Sequence, residues 1–169
     1  MTQTQDRFAA CAATVMDARG AFLAHDPLLD GPSAHGVGLG LLSVWIGGPT
    51  DTASLRALGV GGAARILRNM VWAPIGAARL PAGPDLALFA YALEAGTMQA
   101  VAELQAELDI EPSGAPDATT IAAAASRDPA DLARAVATRH AAWRRARGLA
   151  APGRNRPPAP RRRALLAAC

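Results

Sequence analysis

LPAGPDLALFAYALEAGTMQAVAELQ, running from Leu80 to Gln105, holds a segment that would be apolar on every side of a helix. Between Leu86 and Leu93 the only polar side-chain atom is the hydroxyl of Tyr91. A helix with no polar face must be covered all round, by lipid or by the rest of a globular core. The run is far short of the roughly 20 residues that span a bilayer, so a core is its place. Pro84 and Asp85 suit the helix start, and Gly96 suits its end, where a positive φ is wanted. A second helix follows from Met98 to Leu108, with Val101, Leu104 and Leu108 on one inward stripe. Two helices joined at Gly96 predict a helical centre, and the expected fold class is all-α.

Composition points the same way. Hydrophobic residues make up 51% of the chain, but alanine supplies much of this and aromatics only 4%, which suits close helix packing better than a thick β-sandwich. A length of 169 residues fits one main domain with an appendage. All 17 basic residues are Arg, which biased base composition explains more simply than a need for guanidinium groups. Their placement says more. Up to residue 138 eight Arg stand against 14 acids, and beyond it nine Arg stand against none. A mildly acidic domain thus carries a basic tail, of the kind that attracts nucleic acid, anionic lipid or acidic cell-wall polymers, or that is simply solvated. No aromatic interleaving favours nucleic acid among these. Cys11 and Cys169 lie at opposite ends and read as free thiols. No segment is long enough to cross a membrane, and the N-terminus lacks the apolar core of a secretory signal, so a soluble protein, cytoplasmic as synthesised, is expected.

Working outward, residues 6–20 read as an amphipathic helix with Phe8, Cys11, Ala12, Val15 and Met16 on its inner face. Residues 21–40, rich in Gly, Pro, Asp and Ser, read as a long ordered loop or a small β-ribbon, and long loops in compact domains are often functional. Leu41–Ile46 is a short apolar helix or strand, and Thr52 is a candidate cap for a helix through Leu58. Residues 61–72 form a helix that buries Ile66, Leu67 and Met70. Thr119 or Thr120 opens an Ala-rich helix, and Asp128 caps a last one from Pro129 to Arg147. From Gly148 onward Pro, Gly and Arg are too frequent for independent folding.

The order of these segments resembles glycoside hydrolase family 108, lysozyme-like N-acetylmuramidases of phages and bacteria with a small C-terminal peptidoglycan-binding region. Trp72, Leu80, Pro81, Gly83, Gly96, Leu104 and Gln105 match the family's Tyr-Trp pair, Leu-Pro-x-Gly turn, helix-ending Gly and Leu-Gln pair. Asp26, Pro27, Gly31, Gly36 and Val37 match its loop, with His35 in place of Tyr. Gly114 and Thr120 match its peptidoglycan-binding signature, and Arg139 stands near a usual Arg. The resemblance implies a lysozyme-like domain over residues 6–108 and a helical peptidoglycan-binding-like region over 109–147 packed on it, while composition alone makes 148–169 a disordered basic tail. It also implies peptidoglycan or another cell-wall glycan as partner, no cofactor, and a phage-type route of release to the periplasm.

The departures fall where chemistry would be. The family's catalytic Glu lies in a Glu-Gly-Gly-Tyr segment, which here reads RGAF, with Arg19 at the Glu position. Arginine neither donates a proton near neutrality nor attacks as a nucleophile. Gly38 stands for the family's Thr, Ala90 for its Asp, and Glu94 and Ala95 for its Asn-Ser. The expectation is therefore a muramidase-like protein that binds glycan or a phage-related partner without cleaving it. One alternative is an active hydrolase using a displaced carboxylate, Asp17 or Glu94; another is a structural or regulatory protein that assembles through its Arg tail.

Glycoside hydrolysis needs two flanking carboxyl groups, one of them with a raised pKa. Asp17 rotates away from Arg19 on the helix and reads as a solvated acid. Glu94, near the end of the apolar helix, must reach solvent or a partner, and an Arg19–Glu94 pair across the former cleft is expected. Asp26 and Asp30 read as loop-shaping Asx residues. The glycan-contact candidates are Asp26, His35, Trp72, Tyr91 and Glu94. Trp45, Trp72 and Trp143 are of the type that stacks on sugars, yet in so aromatic-poor a chain they read first as core anchors. His25 and His35 have no third ligand in sight, so no metal site is expected. Ser33, His35 and Asp30 are too local for a triad.

Overall fold

The computed structural model describes residues 2–149 and is mostly helical, with one small antiparallel sheet. The basic tail from 150 onward, Cys169 included, lies outside the described residues. Helix α1 spans Thr2–Arg19 and buries Phe8, Cys11, Ala12, Val15 and Met16, the stripe its periodicity predicts. The Gly-rich stretch after it is a three-stranded sheet in the order β1 (Leu23–Asp26), β2 (Gly31–Ala34), β3 (Val37–Gly38). Of the two readings of that stretch, a ribbon is the one found, and the fold is helical with a sheet rather than purely α. Asp30 and His35 sit at its turns with φ of 49° and 51°, a region that Asp and His tolerate better than most residues.

Five helical elements then lead to the centre: α2 (Leu39–Ile46), α3 (Thr52–Arg56), α4 (Val60–Leu67), a π-helical turn (Arg68–Trp72) and a 3-10 turn (Ala77–Arg79). Asp51, not Thr52, caps α3, its carboxylate accepting from the Ser54 amide at 2.7 Å. The helix predicted over 61–72 loosens into the π turn, where Met70 is only half-buried and Trp72 turns inward.

The central pair is α5 (Pro84–Ala95) and α6 (Thr97–Glu107), joined at Gly96 with φ 91°. Asp85 is buried at the start of α5, accepts from the Gly83 and Leu86 amides at 2.8 Å and pairs with Arg7. Phe8, Trp72 and Phe89 meet edge to face, with Trp72 5.5 Å from each of the other rings. The covering of α5 is not complete. Leu86, Ala87 and Ala90, on one stripe with Glu94, are only half-buried, because that stripe floors a cleft.

Helices α7 (Ala118–Ala125) and α8 (Pro129–Ala146) close the fold, and α8 lies along α5. Asp117, not a threonine, caps α7, while Asp128 caps α8 as its sequence predicts. Three residues of the family resemblance meet here. The fully buried Gln105 accepts from the Gly114 amide at 2.8 Å, and its Nε2 lies 3.0 Å from the Thr120 hydroxyl and 2.9 Å from the Ala115 carbonyl. Arg139 bridges Glu103 and Glu107 at 3.0 and 2.8 Å, tying α8 to α6 and raising its own already high pKa. No helix among the described residues is long and apolar enough to cross a membrane.

Candidate functional site

Four elements converge where α1 ends. Arg19 is the last residue of α1, a favourable place for a cation because the helix dipole is negative there. Its Nη2 donates to Asp26 Oδ2 at 2.8 Å and its Nη1 to Glu94 Oε1 at 3.2 Å. Asp26, on β1, is fully engaged: Oδ1 accepts from the Leu28 amide at 3.0 Å, and Oδ2 also accepts from the Ser33 hydroxyl at 2.8 Å. Its Asx role is thus real, but it serves a buried ion pair as well.

Glu94 lies in the last turn of α5, against the negative end of that helix, where a carboxylate needs compensation. It finds it threefold. His140 Nε2 is 2.7 Å from Oε2, Arg144 Nη1 donates to both oxygens at 2.8 and 2.7 Å, and Arg19 approaches from the other side. The side chains of Arg19, Asp26, Glu94, His140 and Arg144 are all 9% exposed or less. Burial alone would raise the Glu94 pKa; the hydrogen bond and charge of His140, with Arg144 and Arg19, outweigh it and hold the carboxyl below its ordinary value. His140 itself stacks on Tyr91 at 4.7 Å and 15° between planes.

This cluster lines a cleft of about 300 Å³ together with Thr14 and mostly apolar residues, among them Val15, Leu23, Leu28, Leu86 and Ala90. A second cleft, of about 500 Å³, lies beyond Leu93, which lines both. It runs between the sheet turns, α2 and the Gly96 junction. The backbone between the two is tight: a Cβ on Gly36 would come within 3.1 Å of Leu93 and 3.3 Å of Arg19.

The expected Arg19–Glu94 pair is therefore present, and it belongs to a larger network than the sequence suggested. Asp17 is exposed on α1, away from the cluster. Of the glycan-contact candidates, Trp72 and Tyr91 are 3% and 0% exposed and are core residues, because the aromatic-poor chain uses its large rings to fill its centre. Asp26 is likewise closed off at 1%, while His35 is half-buried at the β2–β3 turn. Trp45, read as a core anchor, is 39% exposed. His140 and Arg144 were not legible as site residues. Their spacing puts both on one face of α8, but nothing local says that this face meets α5.

No protein-family model matches the sequence, and no curated protein does. The chain is similar to a solved structure, that of Brucella abortus SagA, with a TM-score of 0.76 and 28% identity over 83% of this chain and 81% of that one.

Proposed function

We propose that the chain is a lysozyme-like domain related to the family 108 muramidases that binds peptidoglycan without hydrolysing it. The observation that carries this reading is the Arg19 guanidinium, fixed between Asp26 and Glu94 at the position where the resemblance puts the catalytic acid. A general acid must hold a proton near neutrality, and Glu94, held low by His140, Arg144 and Arg19, does not. The displaced-carboxylate reading loses its better candidate on that ground, and Asp17 is exposed on α1 outside the cluster. The similarity to SagA over most of both chains supports the scaffold part of the proposal.

Two measurements on the full chain test it. Zymography on purified peptidoglycan should show no clearing, while sedimentation with insoluble peptidoglycan should remove the protein from solution. Clearing that disappears in Glu94→Gln or Asp17→Asn would overturn the non-catalytic part, and absence of co-sedimentation would overturn the binding part. The paired substitution Arg19→Glu with Glu94→Asn restores the family's residues at both positions and should yield weak lysis. Arg19→Glu alone would crowd a third carboxylate against Asp26 and Glu94.

A further inference from the structure

Helices α1, α5 and α8 present small residues to the ion-paired cleft: Ala18 on the first, Ala87 and Ala90 on the second, Ala137 on the third. Small side chains leave the space open, and Leu23, Leu28 and Leu86 border it with apolar surface. Arg19 and Arg144 are balanced there by Asp26 and Glu94, so an occupant gains little by bringing charge of its own. At about 300 Å³ the cleft is at the small end for a bound molecule and suits a few apolar side chains.

The chain supplies such side chains a short way on. Gly148 closes α8 with φ 67°, and the Leu149 amide donates to the Arg144 carbonyl at 3.0 Å, a left-handed cap that turns the chain at the helix end. Arg144 lines the cleft, so the last described residue lies about one helical turn from its wall. Pro and Arg dominate the residues that follow, until 164–168 read ALLAA, an uncharged run with two leucines. Extended, residues 150–163 reach roughly 45 Å at about 3.3 Å per residue, ample for a return to the cleft. Charge favours that return. No acid stands among the tail's arginines, whereas 14 acids stand against eight Arg up to residue 138. One of those acids, Asp17, is exposed on α1 next to Ala18 and one turn from Thr14, both of which line the cleft. The rival apolar surface, Val44, Trp45 and Ile46 on α2, belongs to a helix packed on the sheet and α3, whereas α8 packs on α5, α6 and α7.

We infer that residues 164–168 fold back onto the cleft between α1, α5 and α8, with Leu165 and Leu166 seated over Ala87 and Ala90 and Arg161, Arg162 and Arg163 left at the rim near Asp17. The segment then covers the Arg19–Glu94 network with the chain's own apolar surface, and any ligand of that cleft has to displace it. A tether of this length holds the segment at roughly millimolar effective concentration, enough for a contact too small to keep two separate molecules together. The inference involves no glycan and stands apart from the peptidoglycan-binding reading.

Full-length protein is labelled with a nitroxide at the Cys169 thiol, and paramagnetic broadening of its methyl signals is read residue by residue. The Cys11 thiol does not compete for the label, because it is buried and its pKa is pushed up to about 11. The expected result is strong broadening at Leu23, Leu28 and Leu86 and little at Leu39 and Leu41, which line the other cleft. Leu165→Asp with Leu166→Asp puts charge into an apolar site and should weaken docking at least about tenfold, collapsing the difference between the two clefts. Ala137→Gln, at an exposed position on the cleft wall, should reduce the broadening at the same leucines without unfolding the domain. Equal broadening at both clefts, or broadening centred on Val44 and Ile46, would overturn the inference. So would broadening that passes from nitroxide-bearing chains to unlabelled ones mixed with them, because the contact would then join two copies.

Discussion

The cleft floored by Ala90 and the cleft beside α2 share Leu93 as a wall, yet they dispose of their polar groups in opposite ways. In the first, five ionisable side chains are turned on one another: Glu94 is held by His140, Arg144 and Arg19, and Asp26 by Arg19 and Ser33. Hydrogen-bonding capacity there goes into holding α1, β1, α5 and α8 together. In the second, backbone paired within the sheet and helices, with a few side chains, borders open space. The difference teaches where to look for stability and where to look for binding. A closed ion network resists reaction because each charge already has its partner, and a cleft free of such a network leaves room for a ligand.

That contrast is sharpest at Glu94. Removing a buried carboxylate that accepts from Arg19 and Arg144 and contacts His140 takes a shared acceptor out of a buried network, so Glu94→Ala should cost about 3 kcal/mol. For a domain of this size that is a fall in melting temperature of roughly 6–12 °C; a fall below about 2 °C would mean that the network is not holding the helices together. The same carboxylate predicts a pH dependence. Its pKa in the fold lies below the ordinary 4.5, so the folded state binds fewer protons than the unfolded chain in that range. The stabilisation is full above pH 4.5 and is lost as pH falls through the lower folded value. Chemical denaturation between neutral and acid pH should show a steeper loss for the unsubstituted chain than for Glu94→Gln.

Next in size is a buried polar knot outside both clefts. Gln105→Leu removes the amide that joins α6 to the 113–120 segment and strands the Gly114 N–H, at about 2 kcal/mol, read by urea denaturation. Loss of less than about 0.5 kcal/mol would show that the segment is held by apolar contacts instead.

Arg19→Ala should cost less than Glu94→Ala, about 1 kcal/mol, since Asp26 keeps Ser33 and Leu28 and Glu94 keeps His140 and Arg144. Exchanging the charges of Arg19 and Glu94 would not isolate their pair, because each has further partners that the exchange would repel. A double-mutant cycle with Arg19→Met and Glu94→Gln isolates it, and zero coupling would break the pair. The smallest effect belongs to the open cleft: Gly40→Leu and Trp45→Ala should change stability by no more than about 0.5 kcal/mol. A larger loss would mean that α2 is part of the core and that the two clefts are not as different as they look.

Much of the fold was legible in the sequence. The apolar run at Leu86–Leu93, the glycine at 96, the stripe of α1 and the Asp128 cap follow from periodicity and local backbone chemistry. Local rules failed where two neighbours competed for one role, as when Asp51 and Asp117 capped α3 and α7 in place of the threonines beside them. In the candidate site, Arg19 was visible because it stands where the resemblance expects Glu, and Glu94 because an acid interrupts an apolar helix. His140 and Arg144 were not, since in a helix dense with Arg and Ala neither residue departs from its surroundings. Trp45 was misread because a tryptophan in an apolar run signals burial, and only its neighbours decide whether burial is delivered.

The sequence by itself determined the helices, the irregular segment between α1 and α2, the imbalance of charge toward the C-terminus and the absence of a carboxylate at residue 19. Those properties depend on residues a few positions apart, whose spacing sets which side chains share a face. The tertiary structure alone decided that Glu94 meets α8 as well as α1, that one stripe of α5 floors a cleft instead of packing, and that α2 leaves its tryptophan in the open. These are contacts between residues distant in the chain, and they depend on how the rigid elements pack and which polar groups that packing removes from water, which no local pattern encodes.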